Sequence, residues 1–290
     1  MLLGAAKCGT SGLYDYLNSH PDVYMSDPKE PVFFEAEYEK GMDYYWKTYF
    51  SGWNGEKAVG EARHRNLYLP YVGERIAQCM PENTKFLAIL RDPIERAYSH
   101  WWHLYSREMD PLPFDEAIEA DLERIGRGIK FEGENGARMW TENLDFKTLE
   151  NGYRTYVDSG YYSQQLRRFM QWFPKENFRV VFLEELSQNP QKVVSNLWEF
   201  LEVDPNYSKI DFTPRNASMP RSAMAVKVFL RNIGVINLIP RGLRFQTVRM
   251  LNKISRRGKI SPETRKKLKN HFSSHNQDLA KLLNRRLPFS

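Results

Sequence analysis

Short apolar runs rich in β-branched residues alternate along the chain with segments of helical periodicity. The runs at residues 57–62, 85–90 and 178–183 predict β-strands, and residues 1–3 predict a short first strand. This alternation is typical of an α/β fold in which helices flank a central parallel sheet. Because three residues make a short strand, we expect either that its neighbours complete it or that the natural protein begins further upstream.

Five segments of helical periodicity separate or follow these runs. They lie at residues 11–19, 93–105, 114–123, 162–172 and 190–201. Pro93 is a favoured first residue of a helix, because proline has no N–H group to leave unsatisfied there. Ser261 followed by Pro262 is another helix start, since the serine side chain caps free N–H groups. We expect two helices to finish the chain.

The chain has the composition of a folded protein with one core. Of its 290 residues, 41% are hydrophobic and 14% are aromatic, and no repeat, low-complexity tract or linker divides them, so we expect a single domain over residues 1–290. Residues 108–155 are polar, aromatic and glycine-containing, and they indicate an insertion on the substrate side. No apolar run is long enough to span a membrane and no signal-peptide pattern is present, so the sequence predicts a cytoplasmic protein without a membrane span.

The positive charge is concentrated in residues 215–290, which we expect to form a basic helical part. This segment holds 18 of the 42 lysines and arginines but only two of the 36 acidic residues, a formal charge of +16, whereas the whole chain carries +6. Such a segment binds nucleic acid, an anionic membrane surface or an anionic small ligand, or it is a solvated helical face.

The two cysteines, Cys8 and Cys79, are far apart and belong to no Cys/His cluster. The sequence therefore predicts neither a disulfide framework nor a metal site, and a reducing compartment fits this cysteine usage.

The segment GAAKCGTS at residues 4–11 connects the first predicted strand to the first predicted helix. A glycine-rich turn in that position directs backbone N–H groups at one point, beside the positive end of the helix dipole, and so cradles a phosphate. A Walker A loop requires lysine directly after its second glycine, whereas here Lys7 precedes Gly9 and Thr10 follows it. The loop therefore predicts a phosphate site of another class, or else a purely structural turn.

A family resemblance follows from this loop together with a second motif. The pattern G-x-x-K-x-G-T-S-x-L that begins at Gly4 resembles the 5′-phosphosulfate-binding loop of the sulfotransferases that use 3′-phosphoadenosine 5′-phosphosulfate (PAPS). The stretch RDPIERAYSH at residues 91–100 resembles the 3′-phosphate-binding motif of that family, with Arg91 and Ser99 in the two phosphate-binding places. An arginine at the carboxyl end of a parallel strand is well placed for a ligand, and its forked donors match a phosphate.

The stretch KEPVFF at residues 29–34 is similar to a segment of the heparan-sulfate and related carbohydrate sulfotransferases. In that branch the glutamate is the general base, and Glu30 occupies its position. A base is needed because an acceptor hydroxyl of high pKa must lose its proton as it attacks sulfur. Val32 departs from the pattern, since related enzymes often have histidine there.

The stretch GEARHRNLY at residues 60–68 resembles the family segment G-E-A-S-P-x-Y, which lines the acceptor pocket. It departs from that pattern at Arg63, His64 and Arg65, where serine, proline and a small residue are usual. Three interpretations are open. The three side chains bind an anionic acceptor, or His64 shares the general-base role of Glu30 or replaces Glu30 in it. Otherwise they are simple surface substitutions.

The resemblance implies a P-loop-like sulfotransferase fold, PAPS as donor, 3′-phosphoadenosine 5′-phosphate (PAP) as product, and no metal. It implies that Lys7 stabilises the 5′-phosphate and the bridging oxygen as the bond to sulfur breaks. It also implies that residues of the glycine-rich loop hold the donor, and that Arg221 makes a further phosphate contact. The loop residues are Cys8, Gly9, Thr10, Ser11 and Gly12.

The expected reaction is in-line transfer to a hydroxyl or an amine of a small-molecule or carbohydrate acceptor. One alternative is an ATP-dependent, kinase-like transferase, which needs a Walker lysine and a Mg²⁺ ligand beside the loop. The other is a non-enzymatic binder of nucleic acid or another anionic ligand built on the basic segment. The sequence has neither a Walker lysine nor a Mg²⁺ ligand in the places that the kinase-like alternative requires. The non-enzymatic binder leaves the two phosphate motifs unexplained, so we expect no nucleic-acid partner.

Overall fold

The strands of this protein, seen in a computed structural model, all run parallel to their neighbours. The structure describes residues 1–105, 109–142, 154–212 and 259–289. Its strands are β1 (Leu2–Gly4), β2 (Val23–Met25), β3 (Ala58–Gly60), β4 (Phe86–Leu90) and β5 (Phe178–Phe182). β4 pairs with β1 and β5, β2 pairs with β3, and a bridge between Leu2 and Ala62 joins the two parts. The carboxyl ends of the strands therefore share one edge, where ligands of such folds bind.

Helices cover both faces of this sheet, as the unbroken apolar sequence of β4 requires. All five residues of β4 are buried. In chain order the helices of the described residues are α1 (Thr10–Asn18), α2 (Gly41–Tyr49), α3 (His64–Tyr68), α4 (Val72–Cys79), α5 (Pro93–Tyr105), α6 (Phe114–Gly126), α7 (Gly133–Glu142), α8 (Tyr162–Phe169), α9 (Leu183–Gln188), α10 (Pro190–Phe200) and α11 (Pro262–Leu283). A π-helical turn lies at Phe33–Glu37, and short 3₁₀ turns lie at Tyr38–Lys40, Asp158–Gly160 and Lys175–Asn177.

A second, smaller apolar cluster lies beside the main core and fixes the position of α5. It is formed by α5, α6 and α11, with Trp101, Phe114 and Phe272 among its buried residues. A Cβ added to Gly160 would lie 2.8 Å from the Phe272 ring, so α11 and this turn approach closely because glycine is there. Helix α5, which begins two residues after Arg91, is thus packed against α6 and α11 on its outer side.

The predicted fold class is confirmed, and most predicted elements lie within a few residues of their expected bounds. The first strand is short but completed by neighbours on both sides, since the Leu2 N–H donates to Glu61 O at 2.7 Å while β4 pairs on its other side. Ser261 caps α11 by accepting from the Thr264 N–H at 3.2 Å. The second predicted C-terminal helix lies outside the described residues.

Sequence patterning did not predict β2, α2, α3, α4, α7 or α9, most of which are too short to show a period. Residues 108–155 contain α6 and α7. That they form an insertion on the substrate side stays a prediction, as does the single domain. No helix within the described ranges is both long and apolar enough to cross a membrane. The cytoplasmic localisation stays a prediction.

Candidate active site

A cavity of about 950 Å³ opens at the carboxyl ends of the strands, a size that suits a small-molecule ligand. It brings together residues that the sequence placed in four separate motifs. The predicted site residues that line it are Lys7, Gly9, Thr10, Ser11, Gly12, Glu30, His64, Arg91 and Ser99. Arg221, the remaining predicted phosphate contact, lies outside the described residues.

The loop between β1 and α1 is a tight turn that depends on glycine at two positions. Gly9 has a φ of +92°, and a Cβ there would lie 2.8 Å from the Leu183 side chain. A Cβ on Gly4 would lie 2.8 Å from the carbonyl oxygen of Ile89. Because both positions exclude a side chain, the loop stays close to the sheet and the first turn of α1 faces the cavity.

Lys7 adopts a left-handed conformation, with a φ of +70°, at the turn of this loop. Its Nζ lies 3.4 Å from Nδ1 of His103, which is on α5 one turn after Ser99. An ammonium group can only donate, so Nδ1 of His103 accepts and carries no proton in this contact. This contact could not be read from the sequence, because the two residues are 96 positions apart.

Cys8 contributes no side chain to the cavity. Its thiol is fully buried 3.8 Å from the Tyr162 hydroxyl, and its N–H donates to Ala5 O at 3.2 Å. Burial raises the pKa of the thiol to about 11, against the opposing charge of Arg96. Tyr162 also donates to Arg91 O at 3.0 Å, so one buried hydroxyl contacts both phosphate motifs.

Glu30 and His64 face each other across the cavity wall. Nδ1 of His64 lies 3.4 Å from Oε1 of Glu30, and Arg63 and Lys29 approach the same carboxylate at 3.4 and 3.6 Å. Burial opposes ionisation of Glu30, but contact with His64, Lys29 and Arg63 outweighs it and holds the pKa of Glu30 below its usual value. Burial lowers the pKa of His64 below 6.5, and the charges of Arg63 and Arg65 act in the same direction. At neutral pH the pair is therefore a carboxylate beside a neutral imidazole.

Glu35, which sequence analysis did not single out, is the centre of a buried network behind this wall. Arg63 Nε donates to it at 2.7 Å, Arg65 Nη1 at 2.8 Å and the Trp140 indole N–H at 2.8 Å. Burial raises the pKa of Glu35, but the two arginines outweigh that effect and keep the carboxyl ionised. Arg63, 8% exposed, is thus occupied by carboxylates and is not a surface substitution. Arg65 and Trp140 line the cavity.

The opposite end of the cavity has aromatic and aliphatic walls. Tyr16 and Phe212 meet edge to face with their ring centroids 5.1 Å apart, and the Tyr16 hydroxyl donates to Phe212 O at 3.1 Å. Leu183 and Leu186 line the cavity as well. Such walls suit a flat, mostly apolar ring. Across the part of the chain that the structure describes, no group of three or more His, Cys, Asp or Glu side chains is arranged to hold a metal ion.

Comparisons with known proteins agree on one family. Residues 1–219 match the family model for the sulfotransferase domain. A membrane-associated sulfotransferase from Dictyostelium discoideum is 24% identical over 74% of this chain and 58% of its own length. A bifunctional heparan sulfate N-deacetylase/N-sulfotransferase from Mus musculus is 25% identical over 98% of this chain and 29% of its own length. This chain thus spans less than two thirds of either relative.

A solved structure shares the architecture along nearly the whole chain. The crystal structure of a sulfotransferase from Alicyclobacillus acidocaldarius is 26% identical, with a TM-score of 0.68, and the match covers 99% of this chain and 96% of that one. The similarity therefore includes both the phosphate loop and the C-terminal helix.

Proposed function

The chain belongs to the sulfotransferase domain family, and we propose that it transfers a sulfuryl group from PAPS to a hydroxyl or amine of a small-molecule or carbohydrate acceptor. The observation that carries the choice of donor is the meeting of two separate phosphate motifs, the Lys7 loop and the Arg91–Ser99 pair, in one cavity. Two phosphate sites on one sheet call for a nucleotide that is phosphorylated at two positions.

In this proposal the loop after β1 holds the 5′-phosphosulfate through the N–H groups at the start of α1. Lys7 stabilises the bridging oxygen as negative charge develops on it. Arg91 and Ser99 hold the 3′-phosphate, and the aromatic end of the cavity at Tyr16 and Phe212 takes the adenine. The sulfuryl group then points toward the wall that carries Glu30 and His64.

The sequence predicted Glu30 as general base, with His64 as a possible partner, and both remain proposals. The pKa directions favour His64, because a base works best when its pKa is near the operating pH and Glu30 is held strongly ionised. Nδ1–H of His64 donating to Glu30 would leave the other ring nitrogen free to accept the acceptor's proton. Glu30 then fixes the imidazole and balances the charge it gains.

The acceptor proposal rests on the other wall of the cavity and on relatives that act on heparan sulfate by name. Tyr68, Trp140 and Arg65 line this wall, and the Arg65 guanidinium lies 5.1 Å from the Trp140 ring centroid. An aromatic face beside a cation suits a sugar ring or another planar acceptor with polar substituents. Product formation from labelled PAPS across a panel of such acceptors identifies the acceptor class.

A thermal-shift comparison tests the donor. We expect PAP at about one hundred times its dissociation constant to raise the melting temperature by about 5 °C, because it binds only the folded state. ATP with Mg²⁺ is expected to give no comparable shift. Stabilisation by ATP with Mg²⁺ alone would favour the kinase-like alternative, and salt-sensitive binding of DNA or RNA without PAP binding would favour the nucleic-acid binder.

Arg91→Ala is expected to weaken PAP binding about tenfold to a hundredfold, the loss of a charge-assisted phosphate contact. Its affinity for adenosine 5′-phosphosulfate, which lacks the 3′-phosphate, should change little. Titration calorimetry with both nucleotides measures the difference, and Ser99→Ala should show the same selectivity with a smaller loss. Equal losses for the two nucleotides would mean that Arg91 acts through its contact with Lys7 O, 3.5 Å away, rather than on the 3′-phosphate.

A further inference from the structure

Arg96 is the most deeply buried cation beside the donor site. It lies on α5 between Arg91 and Ser99, and its exposed fraction is 0%. Nη2 donates to the carbonyl oxygen of Tyr156. Its Nε and Nη1 groups are buried as well and have no hydrogen-bond partner among the residues that the structure describes.

Other buried arginines of this protein are paired with carboxylates. Arg63 binds Glu35, and Arg124 binds Asp121 at 2.9 Å and Asp158 at 2.6 Å. Arg96 has no carboxylate within ion-pair distance in the described ranges. A guanidinium in a protein interior costs free energy unless an opposite charge compensates it. Among the described residues, the Arg96 guanidinium is therefore a buried cation without a carboxylate in direct contact.

The positive charge of Arg96 acts electrostatically on the loop at residues 4–11. Its charge lowers the pKa of the Cys8 thiol against the larger effect of burial, and it acts in the same way on the Tyr162 hydroxyl. Cys8 follows Lys7 in the loop, and Tyr162 donates to Arg91 O. Arg96 is fully buried on α5, five residues after Arg91 and one turn before Ser99, both of which line the cavity. In such a region of low dielectric, charges act over longer distances than in water.

We propose that Arg96 is a positioning residue that supplies a fixed positive charge to the donor site without touching the donor. The negative charges of a bound phosphosulfate nucleotide compensate the buried guanidinium, so donor binding removes a cost that the free protein carries. Its hydrogen bond to Tyr156 O also holds the chain next to Thr155, which lines the cavity. This inference rests on the proposed function, because it requires an anionic nucleotide in that cavity.

Two substitutions separate the charge of Arg96 from its hydrogen bond. Arg96→Gln keeps a donor for Tyr156 O but removes the charge, whereas Arg96→Lys keeps a charge. We measure PAP affinity by titration calorimetry near pH 6, so that a lysine at this position keeps its proton. We expect Arg96→Gln to bind PAP at least about tenfold more weakly than Arg96→Lys, with wild type tightest.

Arg168→Gln is the matched control, since Arg168 donates to the main-chain oxygens of Leu67 and Tyr68, at 3.5 and 2.7 Å, and does not line the cavity. It should bind PAP like the wild type. Melting temperatures without ligand report folding for each variant. Equal PAP affinity of Arg96→Gln and Arg96→Lys would overturn the inference and leave the proposed function intact, whereas a wild type that does not bind PAP would overturn the proposed function itself.

Discussion

Lys7→Ala is expected to reduce turnover by about a hundredfold or more, the usual scale of losing one group that stabilises developing charge in a transition state. The bridging oxygen of PAPS gains negative charge as its bond to sulfur breaks, and the Lys7 ammonium is the cation of the loop that reaches into the cavity. Because the loop N–H groups and Arg91 remain, PAP should still bind. The measurement is single-turnover sulfation with saturating PAPS, together with PAP affinity by calorimetry.

Lys209→Ala is the control for that experiment. Lys209 is exposed and lines the same cavity, but at the end that carries Phe212. Its replacement by alanine changes the charge of the cavity lining by the same amount as Lys7→Ala. It leaves in place the cation that is proposed to contact the reacting atoms. A Lys7→Ala enzyme with near-normal turnover, or one that fails only in PAP binding, would show that Lys7 is not the group that stabilises the leaving oxygen.

The meeting of the two proposed phosphate motifs in one cavity was predictable from sequence, because each motif is local. A glycine turn follows β1, and Arg91 follows β4 directly, so each motif is complete within about ten residues. Because parallel strands end at the same edge of a sheet, both motifs meet there regardless of the sequence of the remaining chain. Short elements such as β2 were not predictable in this way, because three residues show no period.

The network around Glu35 was not predictable, because its groups meet through contacts between distant parts of the chain. Glu35 binds Trp140, 105 positions away, and no motif links the two residues. Sequence analysis left three roles open for Arg63, His64 and Arg65. The structure excludes surface substitution for Arg63, whose guanidinium is buried between Glu35 and Glu30. Its charge helps to lower the pKa of both carboxyl groups, an effect that no pattern in the sequence indicates.

The second large expected effect on activity concerns which of His64 and Glu30 is the general base. If His64 takes the proton, His64→Ala should lower kcat/KM by about a hundredfold, the low end for losing a general base. The wild-type profile should be flat near neutral pH and fall in acid below 6.5, because protonated imidazole cannot accept a proton and the pKa of His64 lies below that value. His64→Ala should lack this acid limb.

Glu30→Gln distinguishes the two assignments by the direction in which the acid limb moves. The Glu30 carboxylate raises the pKa of His64, so its replacement by a neutral amide should lower that pKa and move the limb to lower pH. The plateau should fall only about tenfold, since the imidazole is less well oriented but still present. If instead Glu30→Gln is as inactive as His64→Ala, and His64→Ala keeps the wild-type limb, then Glu30 is the base and His64 only its neighbour.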